Sequence, residues 1–385
     1  MTTMTTQPVT ARTIPRVTPT LTDQRTPRPR WTGRRTAQTG ASLAVLVVLL
    51  LLVLPAMTGA SWQSTLHAVG SVPLWQLAAL TGLWLVGLWA YSFVLAASLP
   101  GLTKGQGFVL NLVGSGVSNL VPFGGAAGVG ITWAMARQYG FTNGAIALFT
   151  AVTGIWNVLA RLALPLVGLV GLLVVGARVS GPVLVAAGVG AAFCALVVGL
   201  LVAALANDAF ASRLTAAVAG SVRSLARVIG RPATERLEGL EGLEDALATQ
   251  RASAVELLRR GRGGLVVGMI SYVVLQGVLM WGCLAVVGSE LGWAEVTAAY
   301  ACGRMLTTVV LTPGGTGFAE TGTAAVLIAL GGDPVVSVAG VLLFSFFTFA
   351  CEIPGGALAY GWHLRTRGRR RSPEAIPTGV RLAAG

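Results

Sequence analysis

The stretch "LTPGGTGFAET", residues 311–321, decides how this chain is read. It lies among apolar residues, yet proline and glycine are the poorest helix formers, and Glu320 follows in the next turn. An ionisable group at membrane depth is costly and usually functional, so the break and the carboxylate belong to one device. An earlier stretch, "NLVPFGGAAGVG" at 119–130, repeats the pattern of proline, paired glycines and small residues.

Around these breaks the chain is oily. Of its 385 residues, 54% are hydrophobic and only 11% are charged, against about 25% charged in soluble domains. This composition is that of an integral membrane protein. Apolar runs fall at 41–58, 74–98, 108–121, 124–137, 145–176, 181–206, 264–288, 296–312, 317–331 and 334–363. Crossing a bilayer takes about 20 helical residues, so the longer runs read as spans. The four that flank the Pro-Gly breaks are shorter, and such interrupted segments in matching places mark discontinuous helices at a transport site.

Charge orients the chain. Seven basic residues precede position 40, nine lie between Arg213 and Arg262, and six lie from Arg365 to Arg381. Basic flanks beside spans stay in the cytoplasm. With both termini inside, 24 of the 27 basic residues fall on that side, Lys104 and Arg137 included. The expected fold is an all-α polytopic membrane protein of about six full spans plus two re-entrant helical hairpins, at 105–137 and 296–331. The hairpins enter from opposite faces, giving an inverted-topology repeat: repeat one over about 74–176 and repeat two over about 264–363. The membrane domain covers 41–365, with a disordered basic cytoplasmic tail at 1–40 and a second basic tail at 366–385. An amphipathic cytoplasmic insert occupies 207–262, where apolar positions recur among nine basic and seven acidic residues. One lysine against 26 arginines suggests a GC-rich bacterial genome, hence a cell membrane of the inner or plasma type.

The net charge of +13 sits in these flanks and does not imply nucleic acid. Cys194, Cys283, Cys302 and Cys351 are scattered within apolar runs, and His67 and His363 lie far apart. Neither disulfides, a metal site nor a cofactor is expected.

The chemistry-bearing residues cluster about the breaks. A helix that starts inside the membrane leaves its first N–H groups unpaired and its positive dipole end at the break, a setting suited to an anion. The backbone at Pro122, Gly124, Gly125 and Gly128, and at Pro313, Gly314, Gly315 and Gly317, is expected to form two such tips. Arg161 lies near the middle of one long run and Arg304 within the second hairpin. Guanidinium pairs phosphate bidentately, so both are expected to bind a headgroup phosphate, unless they pair internally with Glu320 or Glu352. Glu320 itself is expected either to cap its helix or to hold a membrane arginine. Asn119, ahead of the first break, and Asn157, one turn before Arg161, complete the expected binding set.

The motifs "NLVPFGGAAG" and "TPGGTGFAETG", on either side of a six-span core, resemble the flippase-like family that forms the transmembrane region of lysylphosphatidylglycerol synthases of the multiple peptide resistance factor type. The similarity covers about residues 41–365. It implies movement of charged or glycosylated lipids between leaflets. The family's first motif carries Gly-Glu after the proline, whereas here Gly128 is followed by Val129. No aminoacyl-transfer domain follows residue 365 in this sequence, so a separate lipid-modifying enzyme is an expected partner.

The leading expectation is therefore a non-enzymatic lipid translocase for a phospholipid or polyprenyl-linked lipid with an anionic or glycosylated headgroup. A small-solute or ion-coupled secondary transporter, a non-transporting partner of a lipid-modifying enzyme, and an intramembrane lipid-modifying enzyme are the alternatives.

Overall fold

The computed structural model describes residues 44–120, 124–176, 261, 263–307, 312 and 315–370, with single positions between 192 and 207. The expected tail at 1–40, nearly all of the span at 181–206, nearly all of the insert at 207–262, and Pro122, Pro313 and Gly314 lie outside those residues. The described residues form helices joined by turns and short irregular links, with no strand among them.

Among the described residues, four helices are long and apolar enough to cross a membrane: α3 (Leu74–Ser98), α6 (Asn143–Val174), α7 (Gly263–Val286) and the continuous rod Pro334–Thr366. These coincide with expected spans. The first apolar run departs from expectation. Helix α1 (Ala44–Thr58) bends by 98° into α2 (Trp62–Gly70), and only the pair together has the length of a span. The cause is local: Gly59 caps α1 in the left-handed conformation at φ 70°, and Ser61 starts α2 by accepting from the Ser64 N–H. Large apolar side chains such as Leu74, Val174 and Leu358 face outward, as lipid-facing side chains do.

Two helical hairpins lie between the spans. Hairpin one joins α4 (Lys104–Leu120) to α5 (Gly124–Gln138), and hairpin two joins α8 (Trp293–Leu306) to α9 (Phe318–Ala329). Each is followed by a glycine turn at positive φ, Gly140 and Gly331, and then by a capped long helix. Thr142 accepts from the Ala145 N–H at the start of α6, and Asp333 does the same for Val336 at the start of α10 (Pro334–Ser345). Helix α10 runs through a π-helical turn, Phe346–Ala350, into α11 (Glu352–Arg370), so helix extends past the expected tail boundary at 366.

Without a hydrophobic drive between helices in lipid, small residues that let backbones approach set the packing. Helices α3 and α7 meet at Leu80 with Gly282, at Gly87 with Leu275 and at Val94 with Gly268. The pairs rise along one helix as they fall along the other, so α3 and α7 are antiparallel. Hairpin one packs chiefly on α11, and hairpin two chiefly on α6. Each hairpin thus leans on the long helix that follows the other. Both crossings are glycine-lined: a Cβ on Gly116 would lie 2.6 Å from the Glu352 carbonyl oxygen, and one on Gly168 would lie 2.9 Å from the Ala298 Cα.

Candidate functional site

The exchange of partners leaves a cavity of about 590 Å³ between the two hairpins. Its wall takes residues from α3 and from both members of each hairpin, and also from α6, α7 and the α10–α11 rod. The volume lies within the usual range for ligand sites, about 300–1,000 Å³.

Of the residues singled out from sequence, Arg161, Arg304, Glu320, Glu352, Asn119 and Asn157 all line this cavity, as do Gly124, Gly125, Gly128 and Gly315. Gly317 stands behind the wall, where a Cβ would lie 2.9 Å from that of Leu49. Hairpin one is tightly closed at Gly128, where a Cβ would meet the Ser118 hydroxyl and the Gly114 carbonyl oxygen.

The two carboxylates are bound to neutral partners. Glu320, the third residue of α9, accepts from the Gly317 N–H and from the Ser345 hydroxyl. Of its two expected roles it therefore takes the cap, the acid side of a capping box, and it ties hairpin two to the end of α10. Because this carboxylate takes the Gly317 donor, the positive end of α9 is already met by the protein's own anion. Glu352 accepts from Asn119 Nδ2 at 2.9 Å, tying hairpin one to the start of α11. Among the described residues no salt bridge joins either carboxylate to Arg161 or Arg304, the pairing that stood as the alternative to phosphate binding. Arg304 and Glu352 are nonetheless close enough to feel each other's charge, as are Arg304 and Arg161.

The guanidiniums are positioned from two helices that pack together. Pro165 stands inside α6 and, lacking an N–H, cannot bond the Arg161 carbonyl four residues back. Arg161 Nε is buried with no hydrogen-bond partner. A buried donor left unmade costs about 1–3 kcal/mol, which a bound anion would recover. Asn157 does not reach toward Arg161 but donates to the Tyr91 hydroxyl at 2.6 Å and to the Thr153 carbonyl oxygen. Tyr91 stacks obliquely on Tyr272, with ring centroids 4.8 Å apart.

Tyr91, Tyr272, Gln276 and Tyr300 are cavity residues that the sequence reading missed. The available signal was modest: Gln276 is a lone amide in the middle of an apolar run, and it is 4% exposed.

The site is that of a polytopic helical membrane protein whose two broken-helix hairpins enclose an arginine-bearing cavity. The model of the family described as lysylphosphatidylglycerol synthase TM region matches residues 41–355. The chain belongs to that family, and is an integral membrane protein of lipid handling. No curated protein matches the sequence.

Proposed function

We propose that this protein is a lipid translocase that binds a headgroup phosphate between the hairpins while the acyl chains stay in the bilayer, and that it moves the lipid without altering it. The observation that carries this reading is the pair Arg161 and Arg304 on one cavity wall, with the nearby carboxylates bonded elsewhere. Two guanidiniums that form no salt bridge among the described residues, one with a buried and unpartnered Nε, suit a phosphodiester.

In this reading the membrane domain is an inverted repeat, with both termini and the 207–262 insert in the cytoplasm. The antiparallel packing of α3 on α7 and the reciprocal leaning of each hairpin on the other half's long helix support it. So does the segregation of basic residues along the chain. Discontinuous helices meeting at the interface of two inverted halves place substrate near the midplane, and rocking of the halves exposes it to either side. A separate enzyme that modifies the lipid is the expected partner.

The test is leaflet exchange in proteoliposomes with a panel of labelled lipids, anionic, zwitterionic and polyprenyl-linked. Wild-type protein should accelerate exchange of at least one phosphate-bearing lipid, and Arg161→Ala with Arg304→Ala should abolish it. Equal rates for wild type and the double variant would overturn the proposal.

A further inference from the structure

The cavity contains two carboxylates in unlike settings. Glu320 lies at the positive end of α9 and is held by a backbone N–H and a hydroxyl. Both carboxylate oxygens are thereby engaged, which fixes Glu320 as the cap of α9. Glu352 is 7% exposed and accepts from a neutral amide, that of Asn119. The cation within its electrostatic reach is Arg304. Helix α4, packed against it, brings only the neutral Asn119 and Ser115 near the carboxylate. Cys351 is its neighbour on the rod, while Arg161, Glu320, Tyr91, Tyr272 and Tyr300 line the same cavity. Glu352 also opens α11 directly after the π-helical turn Phe346–Ala350, and such turns inside helices recur at functional sites.

Arg304 is therefore wanted by two anions, the carboxylate and an incoming phosphate. We infer that lipid movement is coupled to a proton and that Glu352 carries it, an inference that rests on the translocase reading and names its driving ion. When a phosphodiester engages Arg304, Glu352 is left a buried carboxylate with neutral donors alone, Asn119 and Ser115. A buried charge without a counter-charge neutralises instead. A proton from water in the cavity bonds to a Glu352 carboxylate oxygen; no other bond forms or breaks, and Asn119 Nδ2 still has a carbonyl oxygen to donate to. When the phosphate leaves on the far side, Arg304 is again available to the carboxylate and the proton departs there. One proton accompanies one anionic headgroup, so the transfer is electroneutral.

The experiment uses the purified full-length protein and short-chain phosphatidylglycerol, titrated calorimetrically in two buffers of different ionisation enthalpy. The inference expects about one proton taken up for each lipid bound at pH values where Glu352 is ionised in the empty cavity, following from a single carboxylate changing state. Glu352→Gln should bind the lipid without proton uptake, and Glu320→Gln should retain the uptake. In proteoliposomes, one proton per lipid makes each unit of pH gradient shift the steady-state leaflet ratio of labelled phosphatidylglycerol by about tenfold, and Glu352→Gln should hold it near unity. Wild-type binding without proton uptake, or uptake that persists in Glu352→Gln, overturns the inference. Exchange that ignores the gradient overturns it while leaving the translocase reading standing. If phosphatidylglycerol and the other phosphate lipids neither bind nor exchange, both fall together.

Discussion

Hairpin one closes tightest on backbone at Gly124, while within hairpin two the contacts at Gly303 and Gly322 are with side chains. In the first, a Cβ on Gly124 would run into the Ser118 carbonyl oxygen, and one on Gly128 would run into the Ser118 hydroxyl, with the Gly114 carbonyl oxygen 2.6 Å away. In the second, a Cβ on Gly303 would run into the Thr323 hydroxyl and one on Gly322 into a Leu306 methyl; backbone is met beside the break, where a Cβ on Gly315 would lie 2.7 Å from the Thr307 Cα. The tips differ too. Hairpin two supplies its own carboxylate, Glu320, whereas hairpin one supplies the amide of Asn119 and receives its carboxylate from α11. One backbone plan thus carries two distributions of charge: hairpin two is braced from within, and hairpin one is held by a residue whose bond to it depends on what else Glu352 binds.

The largest break in this comparison should come from single methyl groups. Gly124→Ala drives a Cβ into backbone that yields only if α4 and α5 separate, and overpacking of this kind costs about 1–3 kcal/mol or more. Gly303→Ala should be milder, because the Thr323 side chain can rotate away. Gly125→Ala, with nothing within 4 Å of its Cβ position, serves as the control and should leave stability unchanged or slightly raised. Thermal unfolding in one detergent, read for all three, checks the order; a Gly303→Ala as damaging as Gly124→Ala would erase the distinction between the hairpins.

The carboxylates should separate the hairpins next. Glu320→Ala removes the cap from α9 and leaves the buried Gly317 N–H unpaired, at about 1–3 kcal/mol. Asn119→Ala takes a donor from Glu352 but leaves hairpin one's own backbone bonds intact. The expected result is a larger loss of thermal stability for Glu320→Ala and a larger loss of lipid exchange, relative to stability, for Asn119→Ala. Parallel losses in both assays would mean that the two tips do the same job.

These differences were unevenly legible in the sequence. The breaks were, because Pro-Gly-Gly inside apolar runs has few other meanings, and so were the long spans, whose length the bilayer dictates. The bend at Gly59 was missed although its signals were present: a glycine and then Ser61 three residues before Ser64. Which helices touch was illegible, since a helix that is apolar all round, as α3 and α10 are, carries no face signal, and small residues that mark contacts are too common among 51 glycines to be sorted by eye. The partners of Glu320 and Glu352 were hidden for the same reason. Ser345 is 25 residues from Glu320 and Asn119 is 233 from Glu352, and a charged residue in an apolar run suggests an opposite charge more readily than an amide or a hydroxyl.

Where the hairpins agree is at their roots, and there the effect should be smallest and equal. Gly140 and Gly331 end α5 and α9 at φ 96° and 98°, and neither has an atom within 4 Å of a Cβ position. Alanine at either therefore meets no clash and changes only the backbone preference, at about 1 kcal/mol for a side chain held at positive φ. If the two units are variants of one supersecondary plan, Gly140→Ala and Gly331→Ala should lower the unfolding temperature by the same small step and leave lipid exchange alone. Unequal steps would place part of one turn's stability in contacts beyond the glycine itself. His363 is the group to examine then, since it bonds Gln138 at 2.9 Å and meets the Tyr139 ring edge-on beside Gly140.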